Sequence, residues 1–193
     1  MLRMIRRSAI ALAVLAMAIQ PAAAAGVMNG NGVITGTVLF TPGFNCLQLV
    51  DDQAWTFQSV VFTGVFNTSD RGVIYLTDMT ANASGNSIVE NCAGGVGSVN
   101  SFTATGVGTT PGGIGFMTIT INMNGVYVRD GADTHIALTG AVTVCSEFPV
   151  FGGCSTYTTA ARSDGVLLPN QTPPAIITSA TYAGTWEATG VSA

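Results

Sequence analysis

The sequence predicts an all-β fold: a single antiparallel β-barrel or β-sandwich of about ten strands, disulfide-bonded and preceded by a cleaved signal peptide. Three observations carry that expectation. Apolar residues alternate with Thr, Ser and Asn through most of the chain, the period of a half-buried strand. No window longer than about ten residues shows the 3.6-residue apolar period that an amphipathic helix needs. All 24 glycines and 25 threonines follow residue 25, a composition of pleated surface broken by turns.

The first element is the leader. Arg3, Arg6 and Arg7 make a basic start, an apolar run covers residues 9–19, and small residues from Pro21 to Ala25 offer A-x-A exits. Eleven apolar residues fall short of the ~20 that span a bilayer, so residues 1–25 read as a signal peptide and residues 26–193 as one exported domain. This places the mature product outside the cytoplasm, secreted or in the cell envelope, with no membrane span.

Strand candidates follow in order over residues 33–40, 54–66, 73–81, 87–91, 98–105, 134–145, 156–161, 166–168 and 176–189. Asp70-Arg71-Gly72 supplies a turn between the second and third. Asn124-Gly125 predicts a two-residue hairpin setting Met123 against Val126 and Ile121 against Val128. That register would put Tyr127 on a polar face beside Thr120 and Asn122. Asp164-Gly165 predicts another such turn, and the segment from Pro169 to Pro174 a long crossover. Thr-Gly pairs recur at Thr35-Gly36, Thr63-Gly64, Thr105-Gly106, Thr139-Gly140 and Thr189-Gly190, consistent with bends in a coiled sheet. Sequons at Asn67, Asn82 and Asn170 read as loop sequence in a chain this rich in Asn, Ser and Thr.

Cys46, Cys92, Cys145 and Cys154 form an even set in the exported region, which predicts two disulfides. The short loop between Cys145 and Cys154 favours that pairing and leaves Cys46 for Cys92. A zinc site fits less well, because no C-x2-C unit occurs and His135 is isolated.

Beyond the leader there are three arginines, no lysine and ten acids, a formal charge of −7. Nucleic acid and anionic lipid both need clustered cations, so neither is an expected partner. One histidine and no lysine leave few groups for acid–base work, which disfavours most metabolic enzymes. Asp51-Asp52 and the Asp130 to Asp133 stretch lack EF-hand spacing and sit where turns want polar residues. No cofactor or metal is expected. His135 reads as a rim histidine on the less apolar face of its strand, and no G-x-S-x-G elbow accompanies it.

Aromatic residues give the binding candidates. Trp55 and Phe57 share one strand face, Tyr182 and Trp186 share another, and Tyr127 stands on its hairpin. Rings beside hydroxyls and amides suit a glycan or a small apolar ligand. Gly184-Thr185-Trp186 resembles the G-x-W strand motif of lipocalins and avidin-like barrels, although there the motif lies near the N-terminus and here on the last strand. The resemblance transfers no residue role. The expected function is a non-catalytic structural, cell-surface or assembly role, with low charge favouring homo-oligomers or envelope association. The alternative is a module binding carbohydrate or a small apolar ligand, and a secreted hydrolase using His135 or an acid pair ranks third.

Overall fold

The computed structural model describes residues 25–46, 52–113, 115–146, 153–172 and 175–192. The expected signal peptide lies outside these, but for Ala25, and so does Asp51. Eight long strands run in chain order: β1 (Val27–Phe44), β2 (Gln53–Thr68), β3 (Gly72–Asn91), β4 (Gly94–Thr109), β5 (Phe116–Asp130), β6 (Asp133–Ser146), β7 (Cys154–Pro169) and β8 (Ile177–Ser192). Each pairs antiparallel with its sequence neighbours, and β8 pairs back onto β1, so the sheet closes into a barrel. Closure leaves no unpaired sheet edge.

The described residues are all-β, as their alternation predicts, but with eight strands in place of about ten. The difference lies at three glycines. Residues 73–81 and 87–91 belong to one strand, β3, which passes through Gly85. Asn124-Gly125 lies within β5 and Asp164-Gly165 within β7, so neither forms the expected hairpin. At each of these glycines a Cβ would fall on a neighbouring strand's carbonyl: 1.9 Å from Ser98 O at Gly85, 1.9 Å from Ala137 O at Gly125 and 2.4 Å from Ala183 O at Gly165. None of the three has a positive φ. They permit close approach of adjacent strands, which a sequence reading cannot tell from a turn. The Asp70-Arg71-Gly72 turn does form, with Gly72 at φ +74°. The stretch 170–176 joins the adjacent strands β7 and β8, so no crossover occurs there.

Register fixes which side chains enter the lumen. Along β5, Met117, Ile119, Ile121, Met123, Tyr127 and Arg129 are buried, and the residues between them face outward or toward the rim. Because β5 continues straight through Gly125, the alternation is never reset. Tyr127 therefore points inward, not onto a polar face, while Val126 and Val128 face outward. Outside, hydroxyls align across strands: Thr80, Thr105, Thr120, Thr143 and Thr156 are successive partners from β3 to β7, and the last two hydrogen-bond at 2.9 Å.

Both disulfides form with the expected pairing, Cys46–Cys92 and Cys145–Cys154, at opposite ends of the barrel. The terminal end carries Gly26, Ser192 and the β2–β3, β4–β5 and β6–β7 connections. It is packed solid around Met28, Ile74, Ile119, Val144 and Tyr157, all with no exposed surface. The interior space runs through mid-barrel toward the far end, which has the other four connections and holds the buried Glu90–Arg129 pair.

Candidate functional site

Inward alternation brings the four ring candidates together. Trp55 from β2, Tyr127 from β5, and Tyr182 and Trp186 from β8 are all buried and all line one lumen cavity of about 110 Å³. Its wall reaches from Phe66 and Val142 to Glu90 and Leu167 near the far end. Trp186 stacks on Phe62 with ring centres 4.9 Å apart, and its Nε1 donates to Thr63 O at 3.0 Å. Trp55 meets Tyr127 edge-on at 5.9 Å, and Phe57 meets Tyr182 in the same way. The Tyr182 hydroxyl bonds Ser163 Oγ at 2.7 Å, and Ser163 also donates to Thr185 O. Glycines make room for the rings: a Cβ on Gly85 would sit 2.4 Å from the Trp55 indole, and one on Gly97 would sit 2.5 Å from the Tyr127 ring.

A charged pair closes one side. Glu90 and Arg129 are ion-paired, with side chains 1% and 3% exposed. Arg129 Nε donates to Glu90 Oε1 at 3.0 Å, and Tyr127 Oη donates to Oε2 at 3.0 Å. Arg129 also donates to the carbonyls of Asn91 and Gly131, tying β5 to both neighbouring turns. Burial pushes the Glu90 carboxyl above its ordinary value, and Arg129 and Tyr127 pull against that shift. Burial and the adjacent Glu90 charge likewise push the Tyr127 phenol up.

Sequence reasoning missed this pair. Its members lie 39 residues apart, and the false hairpin concealed that Arg129 shares the inward parity of Met117 and Ile119. A second missed network sits at the terminal end. There Asp70 accepts from Ser155 Oγ at 2.6 Å and from Tyr157, and Arg71 donates to Ser155 and Gly153 O.

His135 stands on the outer wall as expected, its Nδ1 2.7 Å from Asp164 Oδ1. Arg162 pairs beside it with Glu187 at 2.9 Å, on strand β7 instead of in the turn foreseen there. The Asp130 to Asp133 stretch is the β5–β6 turn, with Asp130 opposite Asp133 and Gly131 at φ +58°. Among the described residues no three His, Cys, Asp or Glu side chains converge as a metal site, and no helix is long and apolar enough to cross a membrane. No known protein family, characterised protein or solved structure matches the chain.

Proposed function

We propose that this barrel is an exported carrier that binds one small, mainly apolar molecule in its lumen. The single observation behind this is that all four candidate rings, drawn from three strands, converge on one cavity. An eight-stranded barrel has an interior that side chains just fill or that holds one small ligand, and here the filling is incomplete. An engineered apolar cavity of roughly 150 Å³ takes benzene or xenon, so a ring or short chain is the matching size. The apolar wall favours such a ligand over a glycan, which would need free hydroxyl and amide partners. The lumen-facing set is mainly apolar, where a membrane barrel keeps a polar interior, and this agrees with a carrier working in water. The two disulfides agree with an oxidising compartment.

The test uses the only two tryptophans, both of which line the cavity. Titrating small aromatic and alicyclic compounds should shift or quench Trp fluorescence with saturation. Ala83→Leu, which places bulk on the cavity wall, should abolish the response in a barrel that still melts cooperatively. A panel without any saturable response would sink the reading.

One observation supports the structural or assembly reading. Val89, Val96 and Val128 are cross-strand partners on the outer face, 37%, 39% and 49% exposed, beside Ile88. This row offers a contact between barrel faces, since closure removes edge pairing. Light scattering that shows only monomer at high concentration would remove it.

A further inference from the structure

We infer that a hydrolase of the export path cuts the Ala25–Gly26 bond, and that the α-ammonium created on Gly26 docks between Ser192 Oγ and the Asp70 carboxylate. The inference rests on residues 1–25 being a leader and is independent of any lumen ligand.

The barrel begins where the exit motif of the leader ends. Ala23 and Ala25 form an A-x-A site whose scissile bond precedes Gly26, and β1 starts at Val27. A cut after Ala24 satisfies the same rule, so the choice comes from what surrounds Gly26. Ala25 is exposed and Gly26 is buried. Gly26 N donates to Ser192 Oγ at 2.8 Å, and Ser192 N donates back to Gly26 O at 2.8 Å. Val27 N donates to Ser69 Oγ at 2.8 Å, and Ser69 N to Val27 O at 2.9 Å. These two residues thus tie the seam between β1 and β8 to the β2–β3 turn.

That turn supplies the counter-charge. A Cβ on Gly26 would stand 2.8 Å from Ser192 Oγ and 3.5 Å from both Cγ and Oδ1 of Asp70. Cβ and N share one Cα and lie about 2.5 Å apart, which keeps the nitrogen within about 6 Å of the carboxylate. An opposite charge at that range favours the ammonium form. Asp70 accepts from Ser155 Oγ and Tyr157 Oη, and a carboxylate has capacity for more. Arg71 Nε stands 3.7 Å from Asp70, beyond a hydrogen bond, and Arg71 donates to Ser155 Oγ and Gly153 O. Tyr157, the other titratable group here, stays neutral, because burial and the Asp70 hydrogen bond push its phenol up.

As a peptide, Gly26 N has one N–H, already given to Ser192. Hydrolysis gives it three. Water adds its hydroxyl to the Ala25 carbonyl carbon as the C–N bond breaks, and its hydrogen goes to Gly26 N. The acid proton of Ala25 passes to the same nitrogen, leaving a carboxylate and an ammonium. Residues 26–193 contain no lysine, so this is the one ammonium they carry.

The first measurement is the mass of the product that a bacterial host exports from the full chain. It should correspond to residues 26–193. A start at Ala25 or elsewhere would overturn the inference and leave the leader standing, whereas an uncut chain would overturn both. The second uses the absence of lysine: an amine-selective acylating reagent reports on this α-amine alone, and its rate against pH gives the amine pKa, with the alkaline plateau correcting for access. The folded pKa should lie above the ordinary value of about 8, so that after this correction the folded protein reacts about tenfold more slowly at pH 7 than the urea-unfolded one. Asp70→Asn should erase the difference. The third needs no variant, because α-acetylation removes the charge. A folded pKa raised above the unfolded one adds stability below the unfolded value and loses it as pH rises through the folded value. The free-amine protein should therefore melt about 3–5 °C above its acetylated form at pH 6, and the gap should close in alkali. Equal corrected reactivity of folded and unfolded protein, or a melting gap that is absent or indifferent to pH, would overturn the docking even with the cut at Gly26.

Discussion

Arg129→Met is the change whose cost the structure specifies most fully. It removes the cation from a pair whose two side chains are 3% and 1% exposed, leaving the Glu90 carboxylate inside the lumen with only Tyr127 and Ser87 near it. It also strips a donor from the carbonyls of Asn91 and Gly131. Breaking one side of a buried pair costs about 3–5 kcal/mol, chiefly because the remaining charge lacks compensation. For a domain of this size about 4 kcal/mol lowers Tm by roughly 8–16 °C. Replacing both members, as in Glu90→Leu with Arg129→Met, should recover most of that loss, since apolar replacement of a whole buried pair is often neutral. The sign with pH follows from the direction of the shift. Without Arg129, the folded Glu90 pKa lies further above its unfolded value. The group then contributes stability below the unfolded pKa and loses it as pH rises through the folded one, so the single variant should regain stability on acidification. Urea unfolding of wild type, both singles and the double gives the cycle at each pH. An Arg129→Met loss below about 1 kcal/mol, or a double variant no better than the single, would refute the burial argument.

Three further outcomes are expected. Asp70 is pushed up by its partial burial, but hydrogen bonds from Ser155 and Tyr157 and the Arg71 charge outweigh this and hold it below 3.8. Its contribution should therefore persist above that value and vanish as pH falls through the lower folded pKa. Melting curves of wild type and Asp70→Asn should converge in that acid range and separate above it. Removing Cys46–Cys92, with a sequence separation of 46, should cost about 4 kcal/mol, and removing Cys145–Cys154, with a separation of 9, about 2.7 kcal/mol; paired Cys→Ser variants in urea measure both. Tyr127 should resist ionisation, because burial and Glu90 both disfavour the phenolate. Tyr127→Phe should then leave the alkaline absorbance titration of the folded protein unchanged, whereas loss of an early phase would contradict its burial.

Much of this fold is legible in the sequence because strand alternation is local. Each strand's inward set follows from parity alone, which is why Trp55 with Phe57 and Tyr182 with Trp186 fall on the faces the pattern assigns them. The cysteine pairing was equally accessible, since the short span between Cys145 and Cys154 leaves one partner for Cys46. What could not be read was non-local. Gly125 and Gly165 resemble turn residues, and only the presence of Ala137 O and Ala183 O beside them shows that they serve strand packing instead. That single ambiguity inflated the strand count, turned Tyr127 outward and hid the inward parity of Arg129. The Glu90–Arg129 pair depends on the register that sets both residues opposite Gly95 of β4, a relation among three strands that the parity of one strand does not give.

Ligand binding in this barrel requires a lumen that is ring-lined and incompletely filled, and diffraction from a crystal held under xenon pressure tests that without knowledge of the natural ligand. A xenon peak should appear in the chamber bounded by Trp55, Tyr127, Tyr182 and Trp186, and should be absent in Ala83→Leu. Side chains packed through that space, with xenon found only on the surface or nowhere, would contradict it.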